Sequence, residues 1–358
     1  MKPITKFLLN LLLLITVGIV LYWSNNNLDP FQLTILTLCG INVVLVLSMN
    51  LINGFTGQFA LGHAGFMAIG AYVMAILTMT PAAKEMNWFA VPIWAPLHNL
   101  QVPFLVALIL AGLVAALFGY LVGLPVLRLR GDYLAIATLG FAEVIRIVII
   151  NLKPLTNGAL GLKSIPTVNH VYFWVWGAAI VTIYFMMRLI NSSYGLALKS
   201  ITEDEIAAQA MGVNLYYHKQ LSFTLSAFFA GVGGALLGNF LGTVDPSMFT
   251  FMVTFNILLI VVLGGLGSIT GSVVGAIVIT IFMEWLRIVE YPMNFGLLQL
   301  PGIPGMRMVI FSFLLVLVII FWQQGLLGKR ELSWETLTNR FGRGRKSDHQ
   351  PEAVKEVE

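Results

Sequence analysis

Hydrophobic residues follow one another in long runs along this chain, and short polar or glycine-containing segments separate the runs. A helix that crosses a bilayer needs about 20 mostly apolar residues. Only Gly267–Thr270 divides the eighth run from the ninth, so this pair can also be divided differently. The runs predict ten membrane-spanning helices, at residues 7–23, 31–52, 60–79, 102–124, 133–152, 171–190, 219–241, 250–266, 271–290 and 306–323.

The length of these runs also predicts the fold class. Lipid-exposed backbone groups must be paired internally, and runs near 20 residues indicate helices rather than the alternating strands of a barrel. Hydrophobic residues make up 58% of the sequence and charged residues 10%, which excludes a soluble enzyme and a disordered chain. Residues 329–358 hold 13 of the 36 charged side chains. We therefore predict an all-α, polytopic membrane domain over residues 1–328 and a polar cytoplasmic tail over 329–358.

Basic residues are distributed unevenly between alternate loops. They precede the first run, lie in the loops at 125–132 and 191–218, and are frequent in the tail. Since cytoplasmic loops of membrane proteins carry an excess of lysine and arginine, we predict that both termini are cytoplasmic. The net charge of +4 follows from this distribution, and no basic patch with interleaved aromatic residues predicts binding to nucleic acid.

The long loop at 191–218 contains a predicted short helix. Thr202 is a candidate N-cap with Glu205 three residues later, the pattern of a capping box, and Glu203 and Asp204 add acids to the first turn. Gly212 stands where a glycine ends a helix. Helical spacing places four apolar residues on one face, which suits either docking to a partner or packing on the chain's own surface. These residues are Ile206, Ala207, Ala210 and Met211.

Two of the predicted spans contain charged pairs. Glu143 and Arg146 lie three residues apart in one span, and Glu284 and Arg287 have the same spacing in another. A charge at the centre of a bilayer costs about 2.5–3.5 kcal/mol, but residues at this spacing share a helix face and can neutralise each other. The pairs are therefore either structural ion pairs or part of a pathway that contacts a zwitterion.

Glycine is frequent inside and beside the runs, with 34 residues in the chain. Small residues allow helices to approach closely in lipid, so tight helix packing is the first interpretation. Broken or re-entrant helices that line a transport pathway are the second. The sequence leaves both interpretations open.

Several segments carry a resemblance to a known family. Glu205-Ile206-Ala207-Ala208, with Gly212 seven residues after Glu205, resembles the EAA loop of bacterial ABC importer permeases, which is a coupling helix for the ATPase. Over roughly residues 40–328 the chain resembles the branched-chain amino acid (Liv-type) permeases, and its longer first segment and final tail fit the larger of the two permeases in such systems. The matching segments are Asn50–Phe66, Gly131–Phe141, Thr156–Leu162, Ser200–Gly212 and Gly264–Gly271.

The resemblance implies a fold similar to the larger, roughly ten-helix importer permeases. It implies a location in the bacterial inner membrane, a second permease subunit, two cytoplasmic ATPase subunits and a periplasmic amino-acid-binding protein. The implied cargo is leucine, isoleucine and valine, and the implied ATPase-coupling helix comprises Glu203, Asp204, Glu205, Ile206, Ala207, Ala208, Ala210, Met211 and Gly212. Urea and short-amide permeases carry similar motifs, so these cargoes remain an alternative.

The sequence contains no candidate for catalysis. The phosphate loop G-x-x-x-x-G-K-[ST] and the H-E-x-x-H and G-x-S-x-G motifs are absent, and we predict neither a metal site nor a bound cofactor. If ATP drives transport, a partner subunit must bind and hydrolyse it. A stand-alone secondary transporter or channel is the alternative from a different class, although it would not need a docking helix.

Overall fold

In a computed structural model the chain is a bundle of α-helices with short connections. The structure describes residues 3–89, 91–290, 293–295, 298–300, 305–306, 309–310, 312–313 and 316. The predicted tail at 329–358 lies outside the described residues, and so does most of the tenth predicted span, 306–323.

The helices follow the hydrophobic runs, and the division at Gly267–Thr270 separates two helices as predicted. In chain order, the α-helices of the described residues are α1 (Pro3–Asn27), α2 (Pro30–Asn53), α3 (His63–Thr78), α4 (Pro81–Asn87), α5 (Ala95–His98), α6 (Phe104–Val126), α7 (Asp132–Asn151), α8 (Lys153–Thr156), α9 (Val171–Ile190), α10 (Ser193–Glu203), α11 (Glu205–Ala210), α12 (Leu215–Leu241), α13 (Phe251–Gly264) and α14 (Ile269–Leu286).

Short elements occupy some of the connections. Three 3₁₀ turns lie at Gly158–Leu160, Pro246–Met248 and Arg287–Glu290. After α14, strand β1 (Met293–Phe295) pairs antiparallel with strand β2 (Leu298–Leu300). The strands are three residues each, so the fold class is all-α as predicted.

Seven helical segments of the described residues are long and apolar enough to cross a membrane, and the protein is a multi-pass membrane protein. They are α2, α6, α7, α9, α12, α14 and the segment Pro246–Gly264, which contains α13. The predicted count of about ten is slightly high for this part of the chain. One reason is α3, which is apolar but has only 16 residues, fewer than the roughly 20 that a span needs.

Helix α12 forms the centre of the bundle and packs against α2, α3 and α6. Glycines allow the close approach: a Cβ at Gly70 would overlap the carbonyl group of Gly231, and a Cβ at Gly234 would overlap the backbone of Met67. Tight packing through small residues is therefore confirmed for α3 and α12. Residues 54–62, between α2 and α3, are irregular but mostly buried, which suits non-helical backbone inside a membrane protein.

The side chain of Asn50 joins the end of α2 to the connection between α13 and α14. Its amide nitrogen donates to the Ser268 carbonyl oxygen at 3.0 Å and to the Ser272 hydroxyl at 2.7 Å. Its amide oxygen accepts from the Gly267 backbone N–H at 2.9 Å. Asn50 is fully buried, so these hydrogen bonds satisfy a group that would otherwise be costly to place there.

The connections at the opposite end of the bundle also contact one another. The Trp88 indole donates to the Lys153 carbonyl oxygen at 3.1 Å, and the Asn87 side-chain amide donates to the Lys163 carbonyl oxygen at 2.9 Å. Leu162 and Val244 form an isolated antiparallel bridge. These contacts order the loops that lie between the long helices at this end.

Candidate functional site

The loop at 191–218 folds into two helices, α10 and α11, with a sharp bend at Asp204. The backbone of Asp204 is extended, with φ −158° and ψ 114°. Its carboxylate accepts hydrogen bonds from the backbone N–H groups of Ile206, at 2.7 Å, and Ala207, at 3.0 Å. Asp204 is therefore the N-cap of α11.

The predicted capping box at Thr202 and Glu205 is wrong, and so is the predicted helix start. Thr202 lies inside α10, where its hydroxyl donates to the Phe55 carbonyl oxygen at 2.7 Å. Glu203 is the last residue of α10, and Asp204 precedes α11. The predicted end is correct, because Gly212 adopts φ +86° directly after the Met211 C-cap.

Two side chains fix α11 to the bundle. The Lys219 ammonium, at the start of α12, contacts a Glu205 carboxylate oxygen at 2.5 Å. Ala208 is buried on the inner face of α11. Ala208 therefore faces the rest of the bundle, and Glu205, which is 35% exposed, is held against α12.

The outer face of α11 is apolar and exposed. The Ile206 side chain is 77% exposed and Met211 is 84% exposed, with Ala207 and Ala210 between them. The four residues that the sequence placed on a docking face are thus all exposed; three lie in α11, and Met211 follows it directly. We call Ile206, Ala207, Ala210 and Met211 the α11 face.

The sequence analysis did not predict the ion pair of Lys219 with Glu205 or the hydrogen bond of Thr202 to Phe55. Lys219 is the cation at the start of an apolar run, 14 residues after Glu205, and this signal could have suggested the ion pair. The contact between Thr202 and Phe55 joins residues 147 positions apart, and nothing in the local sequence indicates it.

The first predicted charged pair lies on the outside of α7. The Arg146 guanidinium Nε donates to both carboxylate oxygens of Glu143, at 2.9 and 3.0 Å. The Glu143 side chain is 49% exposed, and the described helices leave most of the α7 surface uncovered. The pair is neutralised internally but lies on an open face of a membrane span.

The second predicted pair is different. The guanidinium of Arg287 lies 3.6 Å from Glu284 Oε2, which is too long for a hydrogen bond. This oxygen is buried and has no hydrogen-bond partner among the described residues. Within the described part of the chain, Glu284 therefore keeps an unused acceptor.

Glu284 lines a partly open cleft of about 250 Å³ between α2, α13 and α14. The walls are mostly apolar, and Leu38, Ile41 and Ile257 are among the lining residues. Asn42, Asn256 and Thr280 add polar groups, which the sequence analysis did not identify. Asn42 donates to the Thr280 hydroxyl at 2.8 Å. The described residues contain no cluster of three or more side chains that suits a metal ion.

Comparisons with known proteins identify the family. A family model with the description "Branched-chain amino acid transport system / permease component" matches residues 31–320. The high-affinity branched-chain amino acid transport system permease protein LivM of Salmonella typhimurium is 32% identical over 90% of this chain and 75% of its own length. LivM of Escherichia coli K12 is 33% identical over 82% of this chain and 69% of its own.

A third relative has a lower identity to this chain. The probable branched-chain amino acid transport permease protein LivM of Methanocaldococcus jannaschii is 25% identical over 63% of this chain and 69% of its own. No solved structure matches the chain. The resemblance to Liv-type permeases in the sequence analysis is confirmed. The chain belongs to the family of permease components of the branched-chain amino acid transport system.

Proposed function

We propose that the chain is the membrane permease subunit of an ABC importer for leucine, isoleucine and valine, and that the α11 face docks on a cytoplasmic ATPase. The observation that carries the proposal is the exposure of Ile206 and Met211 on a helix that is otherwise fixed to the bundle. Burial of one such side chain contributes about 1.5–3 kcal/mol. An amphipathic helix in a partner's groove is a common recognition mode.

The anchoring contacts provide a route for coupling. Thr202 joins α10 to the connection after α2, and Lys219 joins α11 to α12, the central helix. In this proposal, movement of the ATPases displaces α10 and α11, and these two contacts transmit the displacement to the bundle. The sequence of this chain has no phosphate loop, so the ATPase subunits bind and hydrolyse the ATP.

The uncovered face of α7 supports a second permease as a partner. Charged side chains in membrane spans are rare on lipid-exposed faces, and they usually face a bundle interior or a cavity. Glu143 and Arg146 lie on a helix face that none of the described helices covers. We place the second permease against this face.

The remaining parts of the proposal follow from charge and family. Basic loops on the α11 side support a cytoplasmic position for α11 and for both termini, in a bacterial inner membrane. The same proposal includes delivery of the cargo by a periplasmic binding protein. Urea or a short amide is the alternative cargo.

The α11 face is tested by purification from native membranes in detergent. Ile206→Arg and Met211→Arg each place a charge where the ATPase groove would close, and we expect about tenfold less co-purified ATPase, since about 1.4 kcal/mol corresponds to tenfold. Met86→Arg is the matched control, because Met86 is 75% exposed at the opposite end of the bundle. Permease abundance should be equal in all variants.

Two results would contradict the proposal. One is retention of the ATPase by both α11 variants at the wild-type level. The other is a wild-type permease that purifies without an ATPase and still transports leucine in vesicles, which would identify a stand-alone carrier.

A further inference from the structure

The cleft between α2, α13 and α14 has the size and chemistry of a site for a small amphipathic molecule. Its volume is about 250 Å³, slightly below the roughly 300–1,000 Å³ of pockets for drug-sized ligands. The apolar part of the wall includes Ile41, Leu45, Ile257 and Ile260. A molecule with a branched aliphatic group fits such a wall, because contact removes apolar surface of both partners from water.

The polar part of the cleft contains the Glu284 carboxylate, one oxygen of which has no hydrogen-bond donor among the described residues. Glu284 Oε2 is buried and makes no hydrogen bond within the described residues, and the nearest cation, Arg287, lies 3.6 Å away. Buried polar groups in proteins are almost always paired, so an unpaired carboxylate oxygen indicates a missing partner. A charged donor is the favourable partner, because charge-assisted hydrogen bonds are the strong ones.

Glu143 provides an internal comparison. It has the same i,i+3 spacing to an arginine, but Arg146 donates to both of its oxygens. The Glu143 side chain is 49% exposed on the outside of α7, whereas the Glu284 side chain is 18% exposed in the cleft. Among the described residues, the same sequence pattern therefore gives a hydrogen-bonded ion pair in one span and an acceptor without a hydrogen bond in the other.

We propose that this cleft is a transport site of the permease, in which Glu284 binds the α-ammonium group of an amino acid and the apolar wall contacts its side chain. In this proposal Arg287, which lies beside Glu284, binds the α-carboxylate of the amino acid. Asn256 on the α13 wall is a further hydrogen-bond donor to the bound molecule. The assignment rests on the proposed transport of branched-chain amino acids. It adds a site within this chain that selects for the ammonium group, in addition to selection by a binding protein.

The site is tested by thiol labelling in membranes that contain the complete importer. Cys39 is the single cysteine of the chain, so Cys39→Ala combined with Met283→Cys places one thiol on the cleft wall. Val253→Cys on the α13 wall provides a second, independent position. Two methanethiosulfonate reagents of similar size are compared. The aminoethyl reagent carries a primary ammonium group, and the sulfonatoethyl reagent carries a sulfonate anion.

We expect the ammonium reagent to react about tenfold faster than the anionic reagent, because Glu284 is among the residues that line the cleft, whereas Arg287 is not and is 47% exposed. A cleft lined by one sign of charge concentrates counter-ions. Glu284→Gln should remove this preference. Millimolar leucine should slow the labelling, and the keto acid that corresponds to leucine, which lacks the ammonium group, should not. Glu85→Gln removes an exposed carboxylate outside the cleft and should leave both results unchanged.

Equal labelling rates for the two reagents, or equal protection by leucine and its keto acid, would overturn the assignment. A cleft that labels at neither position is filled by a partner subunit, and this result also overturns it. The labelling is independent of the ATPase purification. If labelling fails while the α11 variants lose the ATPase, the transport site is wrong and the importer function stands. If labelling succeeds while the α11 variants keep the ATPase, the amino acid site stands and the ATPase contact at α11 is wrong.

Discussion

At the scale of single residues, Lys84 shows how one buried cation orders a loop. Its side chain is fully buried, and the ammonium donates to the carbonyl oxygens of Leu97, at 2.7 Å, and Leu100, at 2.6 Å. Leu97 belongs to α5 and Leu100 follows it, so Lys84 in α4 fixes the connection that leads to α6. Burial lowers the pKa of the ammonium from its ordinary value.

We expect Lys84→Met to destabilise the fold by about 2–3 kcal/mol, because two carbonyl groups lose a charged donor in a buried place. Thermal unfolding in detergent is the measurement, and Lys153→Met, at an exposed lysine of the same end, is the control. A melting temperature equal to that of the control would show that the two hydrogen bonds contribute nothing.

The same residue predicts a pH dependence. Since the pKa of Lys84 is lower in the folded state, the unfolded chain binds more protons between that lowered pKa and the ordinary value of 10.5. The contribution of Lys84 to the free energy of unfolding should therefore increase as the pH rises through this window. The neutral amine still has two N–H donors for the two carbonyls. Lys84→Met should lack this contribution when its stability is measured against pH beside the wild type.

At the scale of elements, the hydrophobic runs predicted the helices because burial in lipid and helical length are local properties of the sequence. The start of α11 was not predictable in the same way, since Thr202 and Asp204 are both good N-caps. The distant Phe55 carbonyl engages Thr202 and leaves the cap to Asp204. The cleft was missed for a related reason, because its polar residues come from separate helices.

Gly70 and Gly231 give a prediction for the contact between α3 and α12. Gly70→Ala places a methyl group against the Gly231 carbonyl, and neither helix can move away because α12 is packed on several sides. We expect lower membrane abundance and a lower melting temperature. Gly177→Ala in α9 is the matched control, since a Cβ there meets nothing within 4 Å. Equal losses from both substitutions would point to a general effect of alanine and not to this contact.

At the scale of the whole molecule, the bundle covers its helices unequally. Most of α12 and α2 is buried, whereas the described residues cover a small part of the α7 surface and leave the Glu143–Arg146 pair on the open part. The sequence indicated the pair but not its position, because the face of a helix is fixed only by the packing of its neighbours.

The proposed second permease gives a prediction for this face. The double variant Glu143→Leu, Arg146→Leu removes both charges together, so neither is left unpaired. We expect the isolated permease to keep its melting temperature, and the second permease to co-purify in a smaller amount. Wild-type recovery of the two-permease complex from the double variant would place the partner on another surface.

The three hydrogen bonds of Asn50 have a mechanical consequence. They hold α2 to the start of α14, while the cleft lies between the same two helices nearer their other ends. If α2 and α14 separate at the cleft, one helix therefore rotates relative to the other about the contacts of Asn50. Asn42 lies eight residues from Asn50, a lever arm of about 12 Å at 1.5 Å per residue. A tilt of about 10° displaces that position by roughly 2 Å. This is enough to break the Asn42–Thr280 hydrogen bond and to change the width of the cleft, while the end near α11 stays closed.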